Sequence, residues 1–261
     1  MRLLASLRSG FFFVGIVSIF LVPACVIKKL SSEPGNPKWG MDVIWHGHSC
    51  FTLRDSVGRT LVMDPFDDTV GYGKLDLLAD ALLISHNHFD HNYRRAVRTH
   101  HKDLDLVQST GTVTVAAGLQ VTGLPSSHDH ETGEINGPNN IYIFVFGGLR
   151  CVFLGDLGSP QLDEFQLKMI GKVDVLFVPV GGKVTLDGEE AKKVIETLMP
   201  TTVFPMHFGN IRFFPLDPID KFTNLFPPEQ VKIINDSHVR IKEADLTDKP
   251  VVYILNSTSK N

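Results

Sequence analysis

His86-Asn87-His88-Phe89-Asp90-His91 puts three imidazoles and a carboxylate within six residues. Directly before it runs Ala81-Leu82-Leu83-Ile84, short, uncharged and β-prone, which reads as a buried strand. The cluster therefore sits at a strand end, where the chain turns into a loop. Side chains repeat every second residue along a strand, so His86 and His88 share a side. A turn beyond them brings Asp90 and His91 to a neighbouring point. One segment can thus serve two metal ions, with His86 and His88 on one and Asp90 and His91 on the other. Borderline metals such as Zn, Mn and Fe accept mixed imidazole and carboxylate ligands.

Further candidate ligands recur in the same setting downstream. His128 follows an apolar run in Pro125-Ser126-Ser127-His128-Asp129-His130. Asp156 ends Cys151-Val152-Phe153-Leu154-Gly155-Asp156, and His207 ends Val203-Phe204-Pro205-Met206-His207. Any one alone would be read as a polar residue that satisfies a strand end. Together with the first cluster they make five imidazoles and two carboxylates, enough for two ions with room left for water.

The chain has 261 residues, 43% of them hydrophobic and 21% charged, as in a globular protein with a substantial core. No basic run or aromatic-interleaved basic stripe occurs, which argues against a nucleic-acid partner. Residues 1–24 read as a targeting segment outside the fold. Arg2 and Arg8 form a basic start without acids, and residues 11–21 form an apolar core too short for a confident membrane span. Leu21-Val22-Pro23-Ala24-Cys25 resembles a lipobox, although Pro23 is unusual there. The implication is cleavage after Ala24, lipid on Cys25, and an exported protein anchored to the bacterial cell envelope. Plain secretion or an uncleaved anchor are the alternatives. Loss of Arg2 and Arg8 takes the formal net charge from −4 to −6. Residues 25–40, with Pro34, Gly35 and Pro37, read as a tether to a catalytic domain over 41–256. Cys50 and Cys151 lie in apolar β-like runs. An oxidising compartment permits a disulfide, but two unpaired core thiols are the preferred reading.

Strands are expected at 43–45, 50–53, 60–63, 82–84, 106–107, 113–116 and 121–124. A hairpin is expected from 141–146 and 150–154 around Gly147-Gly148. Helix patterns begin only after Asp156. Leu162, Phe165, Met169 and Ile170 are spaced for one helix face. Asp187 and Glu190 read as a capping pair before Ala191, Val194, Ile195 and Leu198. Asp217-Pro218 offers a third helix start, with Ile219, Phe222, Leu225 and Phe226 behind it. Strands at 175–178, 203–205 and 231–234 alternate with these helices, which suggests a layered sandwich.

The order His-x-His-x-Asp-His, then His, then Gly-Asp, then His resembles the metallo-β-lactamase superfamily. The resemblance runs from Val43 to Phe226. It is greatest to a branch of metal-dependent hydrolases similar to ascorbate-6-phosphate lactonase and to the phospholipase D acting on N-acyl phosphatidylethanolamine. Trp45-His46-Gly47-His48-Ser49-Cys50-Phe51, Asp64-Pro65-Phe66, Gly137-Pro138-Asn139, Val178-Pro179-Val180-Gly181-Gly182 with Thr185-Leu186-Asp187, and Pro205-Met206-His207-Phe208-Gly209 match that branch. The resemblance implies an αββα sandwich of the α/β class with metals at the edge between its sheets. It implies that His86, His88 and His128 hold one metal, that Asp90, His91 and His207 hold a second, and that Asp156 bridges both. Asp64 would orient a ligand imidazole from behind. Many relatives follow the motif with Leu-Asp where this chain has Asn92-Tyr93, so the loop that shapes the pocket differs. His130 competes with His128 as the ligand, and His128 fits the motif better.

Two divalent transition-metal ions, Zn first and Mn or Fe also suited, would share a hydroxide that attacks a phosphodiester or a lactone or ester. Asp90 would orient that hydroxide or take its proton. His48 and His130 are candidates for leaving-group acid or substrate contact, and a histidine hydrogen-bonded beneath the site is the alternative for His48. The expected substrate is a small or lipid-like molecule. A mononuclear iron oxygenase acting on thiol persulfides exists on this fold and is the alternative activity, but it needs fewer ligands.

Overall fold

Alternation decides which layer each strand feeds. In Thr60–Met63, Leu61 and Met63 enter one apolar cluster and Val62 another. Ala81–Leu83 behaves likewise, with Ala81 and Leu83 on one side and Leu82 on the other. A strand buried on both faces needs an unbroken apolar run, as here. The computed structural model describes residues 40–115, 118–129, 134–209, 212 and 215–258, all within one compact unit, Asn36–Asn261. Cys25, the targeting segment, nearly all of the tether, and His130 lie outside the described residues.

A six-stranded sheet runs in the order His238–Ile241, Met41–Gly47, Cys50–Asp55, Thr60–Met63, Ala81–Leu83, Asp105–Val107. An eight-stranded sheet runs Val231–Ile234, Val251–Leu255, Thr202–Met206, Val175–Pro179, Leu149–Phe153, Pro138–Phe146, Leu119–Ser127, Gly111–Val115. Between them lies a core that includes Phe51, Leu53, Met63, Tyr142, Phe153, Phe177 and Phe204. Each such side chain contributes about 1.5–3 kcal/mol on burial. Helices Glu164–Ile170 and Gly188–Leu198 cover the outer face of the eight-stranded sheet, where Ile170, Ala191, Val194 and Ile195 meet Val152 and Leu176. The outer face of the six-stranded sheet is covered differently. Val62, Leu82 and Ile84 pack under 3-10 turns Asp68–Val70 and Arg94–Ala96 and a two-stranded ribbon, Leu77–Leu78 with Val97–Arg98. The architecture is the αββα sandwich with its second helical layer reduced to short turns.

Several local expectations hold for clear reasons. Gly147 and Gly148 both have positive φ, the turn that a two-residue hairpin requires, and Phe146 pairs with Leu149. Asp187 and Glu190 form a reciprocal capping box. Cys50 and Cys151 are buried and free, and they sit in different layers of the sandwich. Others do not hold. Phe165 is 58% exposed, because the seven-residue helix turns Gln166 and Ile170 inward instead. Asp217 does not cap a helix: helix Asp220–Thr223 begins later without a side-chain cap, and Asp217 receives Lys221 Nζ. Strands His238–Ile241 and Val251–Leu255 were not anticipated, and they complete one sheet each.

Candidate metal centre

Strand direction gathers the candidate ligands at one edge. Leu149–Phe153, Val175–Pro179 and Thr202–Met206 pair in parallel, so Asp156 and His207 emerge at the same end. Leu119–Ser127 reaches that end too, because it is antiparallel to Pro138–Phe146, which is antiparallel to Leu149–Phe153. It delivers His128. In the other sheet Met41–Gly47, Thr60–Met63 and Ala81–Leu83 all point one way and end at His48, Asp64 and His86. Two side chains bind the sheets together at the root of the motif. Tyr142 Oη donates to the Ile84 carbonyl at 2.8 Å, and Asn140 Nδ2 donates to the Ser85 carbonyl at 2.8 Å.

Asp156 stands at the centre. Its Oδ2 lies 3.1 Å from Nε2 of each of His91, His128 and His207, and 3.8 Å from His86 Nε2. Donor atoms of His86, His88 and His128 lie within 4.8 Å of one another, and so do those of His48, Asp90, His91 and His207. The structure thus places six of the seven expected ligands in two groups around the seventh, the Asp156 carboxylate.

The outer nitrogens of three imidazoles are tied down. His91 Nδ1 donates to Asp64 Oδ2 at 2.9 Å, and His128 Nδ1 donates to the Val184 carbonyl at 2.9 Å. The Ser85 hydroxyl donates to Asp64, so its oxygen accepts from His86 Nδ1 at 2.9 Å. Each anchored Nδ1 leaves Nε2 with a bare lone pair that faces Asp156. His86 Nε2, His91 Nε2 and Asp156 Oδ1 are buried without a hydrogen-bond partner. Each such atom costs about 1–3 kcal/mol unless something meets it. A cation fits that requirement.

Charge points the same way. Burial, then the nearby His91, pulls His86 down to about 2, so it is a neutral donor. Burial opposes ionisation of Asp156, but His207 and His91 outweigh it and hold the carboxyl well below its usual range. Burial likewise opposes charge on His91, yet Asp156, Asp90 and Asp64 push it well above the ordinary imidazole range. The carboxylates therefore demand positive charge inside a buried cluster. A metal cation meets that demand while the imidazoles stay neutral.

The backbone at this edge is strained. His48, Asp64 and His207 have φ of 49°, 42° and 55°, in the left-handed region that ordinary residues avoid. Such positions cost of order 1–3 kcal/mol each and persist where surroundings over-determine them. The His48 carbonyl is fixed by both Trp45 Nε1 at 3.0 Å and the His207 amide at 3.2 Å. Asn139, from Gly137-Pro138-Asn139, accepts from the Asp156 amide at 3.0 Å and donates to the Leu154 carbonyl at 2.8 Å. It sets the turn that carries the central carboxylate.

His48 is fully buried, with Nε2 3.0 Å from Asp90 Oδ2. That is the arrangement of the alternative reading, a histidine hydrogen-bonded beneath the site that orients Asp90. His48→Ala should leave metal content unchanged and lower kcat by about 10–100-fold, the range for a partner behind a ligand. His48→Gln, which can still donate to Asp90, should recover part of it. Wild-type turnover in His48→Ala would refute the role. His46 is a core histidine, its nitrogens 2.7 Å from Thr52 Oγ1 and 3.1 Å from Thr258 Oγ1.

A family model described as the beta-lactamase superfamily domain matches residues 42–207, a span that contains every candidate ligand. The chain belongs to the metallo-β-lactamase superfamily. Among its relatives, a UPF0173 protein of Pyrococcus furiosus is 30% identical over 185 residues, 65% of this chain and 84% of the relative. A UPF0173 metal-dependent hydrolase of Anaeromyxobacter dehalogenans is 31% identical over 217 residues, 69% of this chain and 78% of the relative. A solved structure from Thermotoga maritima, described as a Zn-dependent hydrolase of the metallo-β-lactamase superfamily, aligns with a TM-score of 0.67 at 31% identity. It covers 83% of this chain and 100% of its own. The protein is a metal-dependent hydrolase of this superfamily.

Proposed function

We propose that this metallo-β-lactamase-type hydrolase is binuclear and uses water to split a phosphodiester or a lactone or ester bond. The observation that carries the reading is the single Asp156 oxygen 3.1 Å from three imidazole nitrogens of two different ligand groups. His86, His88 and His128 would hold one divalent transition-metal ion, and Asp90, His91 and His207 the other, with Asp156 shared. The imidazole and carboxylate donors, free of thiolate, suit Zn first and Mn or Fe as well. Such ions supply an acidified water and polarise the scissile oxygen. The chain's own groups do the rest. Asp90, fixed through Oδ2 by His48, orients the attacking water and can take its proton. Asp64 and Val184 hold His91 and His128 in the tautomer that leaves Nε2 free.

Elemental analysis of the full chain, purified without chelator, should approach two metal equivalents. A fully active protein with one equivalent under metal excess would remove the binuclear reading.

The same reading extends to the N-terminus. Lipid on Cys25 would hold the enzyme at the bacterial cell envelope and bring lipid-like or envelope substrates to it. Leu21-Val22-Pro23-Ala24-Cys25 supports this. Metabolic labelling with a fatty acid should mark the wild type and not Cys25→Ser. An unlabelled, soluble wild type that retains the residues before Cys25 would end it.

A further inference from the structure

Beside the metal centre lies a cavity of about 330 Å³ lined by His86, His88, Asn87, Gln108, Asn136 and Asn140, among others. Four of these side chains are carboxamides, whose oxygen and nitrogen ends can be exchanged by a flip. Here a single arginine decides the matter. A guanidinium only donates. Arg94 Nη2 donates to Gln108 Oε1, and Arg94 Nε donates to Asn92 Oδ1 at 2.9 Å. With its oxygen taken, Asn92 must present Nδ2 on its other side, and it donates that group to Asn87 Oδ1. Gln108 and Asn87 therefore both have their oxygens occupied. Both residues line the cavity, so the NH2 groups are the ends they have left to offer it, with the Arg94 guanidinium one hydrogen bond from Gln108 and linked to Asn87 through Asn92.

The other two lining carboxamides, Asn136 and Asn140, have the reverse polarity. Asn140 Nδ2 donates to the Ser85 carbonyl at 2.8 Å, and Asn136 Nδ2 to the His128 carbonyl at 3.3 Å, so their oxygens are the free ends. The nearby Asp129 carboxylate is engaged by the Ile135 and Asn136 amides at 3.0 and 3.3 Å. The donors and the cationic charge thus concentrate on the Arg94 side. Only a side chain with both an acceptor and a donor, such as Asn92, can relay the arginine's polarity to Asn87.

We infer that Arg94, acting through Asn92, sets Asn87 and Gln108 as a donor wall that binds an anionic carboxylate or phosphoryl group of the substrate beside the metals. The inference rests on the proposed metallohydrolase reading. Arg94 and Asn92 are positioning residues, and Asn87 and Gln108 make the contact.

The test uses the metal-loaded full chain and three probes that share one metal-binding phosphonate, read by isothermal titration. Propylphosphonate carries no second anion, 3-phosphonopropionate adds a carboxylate, and propane-1,3-diphosphonate adds a phosphoryl group. At least one of the last two should bind about tenfold more tightly than the first, the size of one good charge-assisted contact. The tighter of the two identifies the preferred anion. Arg94→Gln should bring the ratio near one while propylphosphonate affinity and metal content stay unchanged. Arg94→Lys keeps the charge but replaces the rigid fork with a single flexible donor centre, so it should keep only part of the preference. Equal binding of all three probes to wild type, or full preference in Arg94→Gln, overturns the inference alone. No binding of any phosphonate to metal-loaded protein overturns the metal-centre reading and the inference with it.

Discussion

Asp156→Ala should lose metal and hydrolysis together, with activity down by more than about 10²-fold. Removing a partner behind a ligand costs up to about that factor, and a ligand shared by two groups should cost more. The substitution removes the oxygen that His91, His128 and His207 all face. It also leaves a buried cluster of imidazoles without its central negative charge, and breaking a buried charge pair costs about 3–5 kcal/mol. Asp156→Asn separates the two consequences, since it keeps shape and volume and removes only the charge. Elemental analysis and thermal melting should be run on both variants beside wild type. Two retained equivalents and unchanged turnover in Asp156→Asn would contradict the central role assigned here.

Gly181→Ala should displace His207 although it touches no metal ligand's side chain. A Cβ at Gly181 would lie 1.9 Å from the His207 carbonyl oxygen, which is backbone and cannot swing aside. His207 already occupies a left-handed conformation, so it has little room to yield. Forcing extra atoms into a packed site costs about 1–3 kcal/mol. For a domain of this size that is a fall in Tm of about 2–12 °C. On the proposed binuclear reading, metal content should drop toward one equivalent, because the group of Asp90, His91 and His207 loses a member. The melting curve with and without added zinc reads both effects. A variant with wild-type Tm and two equivalents would show that the loop relaxes freely.

Much of this could be read from the residues, and the failures share a cause. The cluster from His86 to His91 was legible because its ligands are contiguous and follow an apolar run. His128, Asp156 and His207 were legible because each ends a strand, and parallel strands bring their ends to one edge. What escaped was set by packing across the sheets. For His48 the sequence offers both an acid and a histidine held beneath the site, and only the fold shows its full burial and its bond to Asp90. Ser85 adjoins the motif, yet its bridge from Asp64 to His86 appears only when two strands lie side by side. Val184 holds His128 through a carbonyl, a group every residue carries. The 3-10 turns over the six-stranded sheet are too short for a helical period to announce them. Val251–Leu255 is different, since its β-branched run is plain in the sequence itself.

The central carboxylate and its imidazoles come from both sheets and from chain positions as far apart as His86 and His207. That separation orders events during maturation. No early stretch of the growing chain holds more than the first cluster, and the bridge between the two ligand groups exists only after the sheets have docked. The complete ligand set therefore exists only in the finished sandwich, whereas a small zinc module gathers its ligands from one short stretch and gains its folding free energy from the ion.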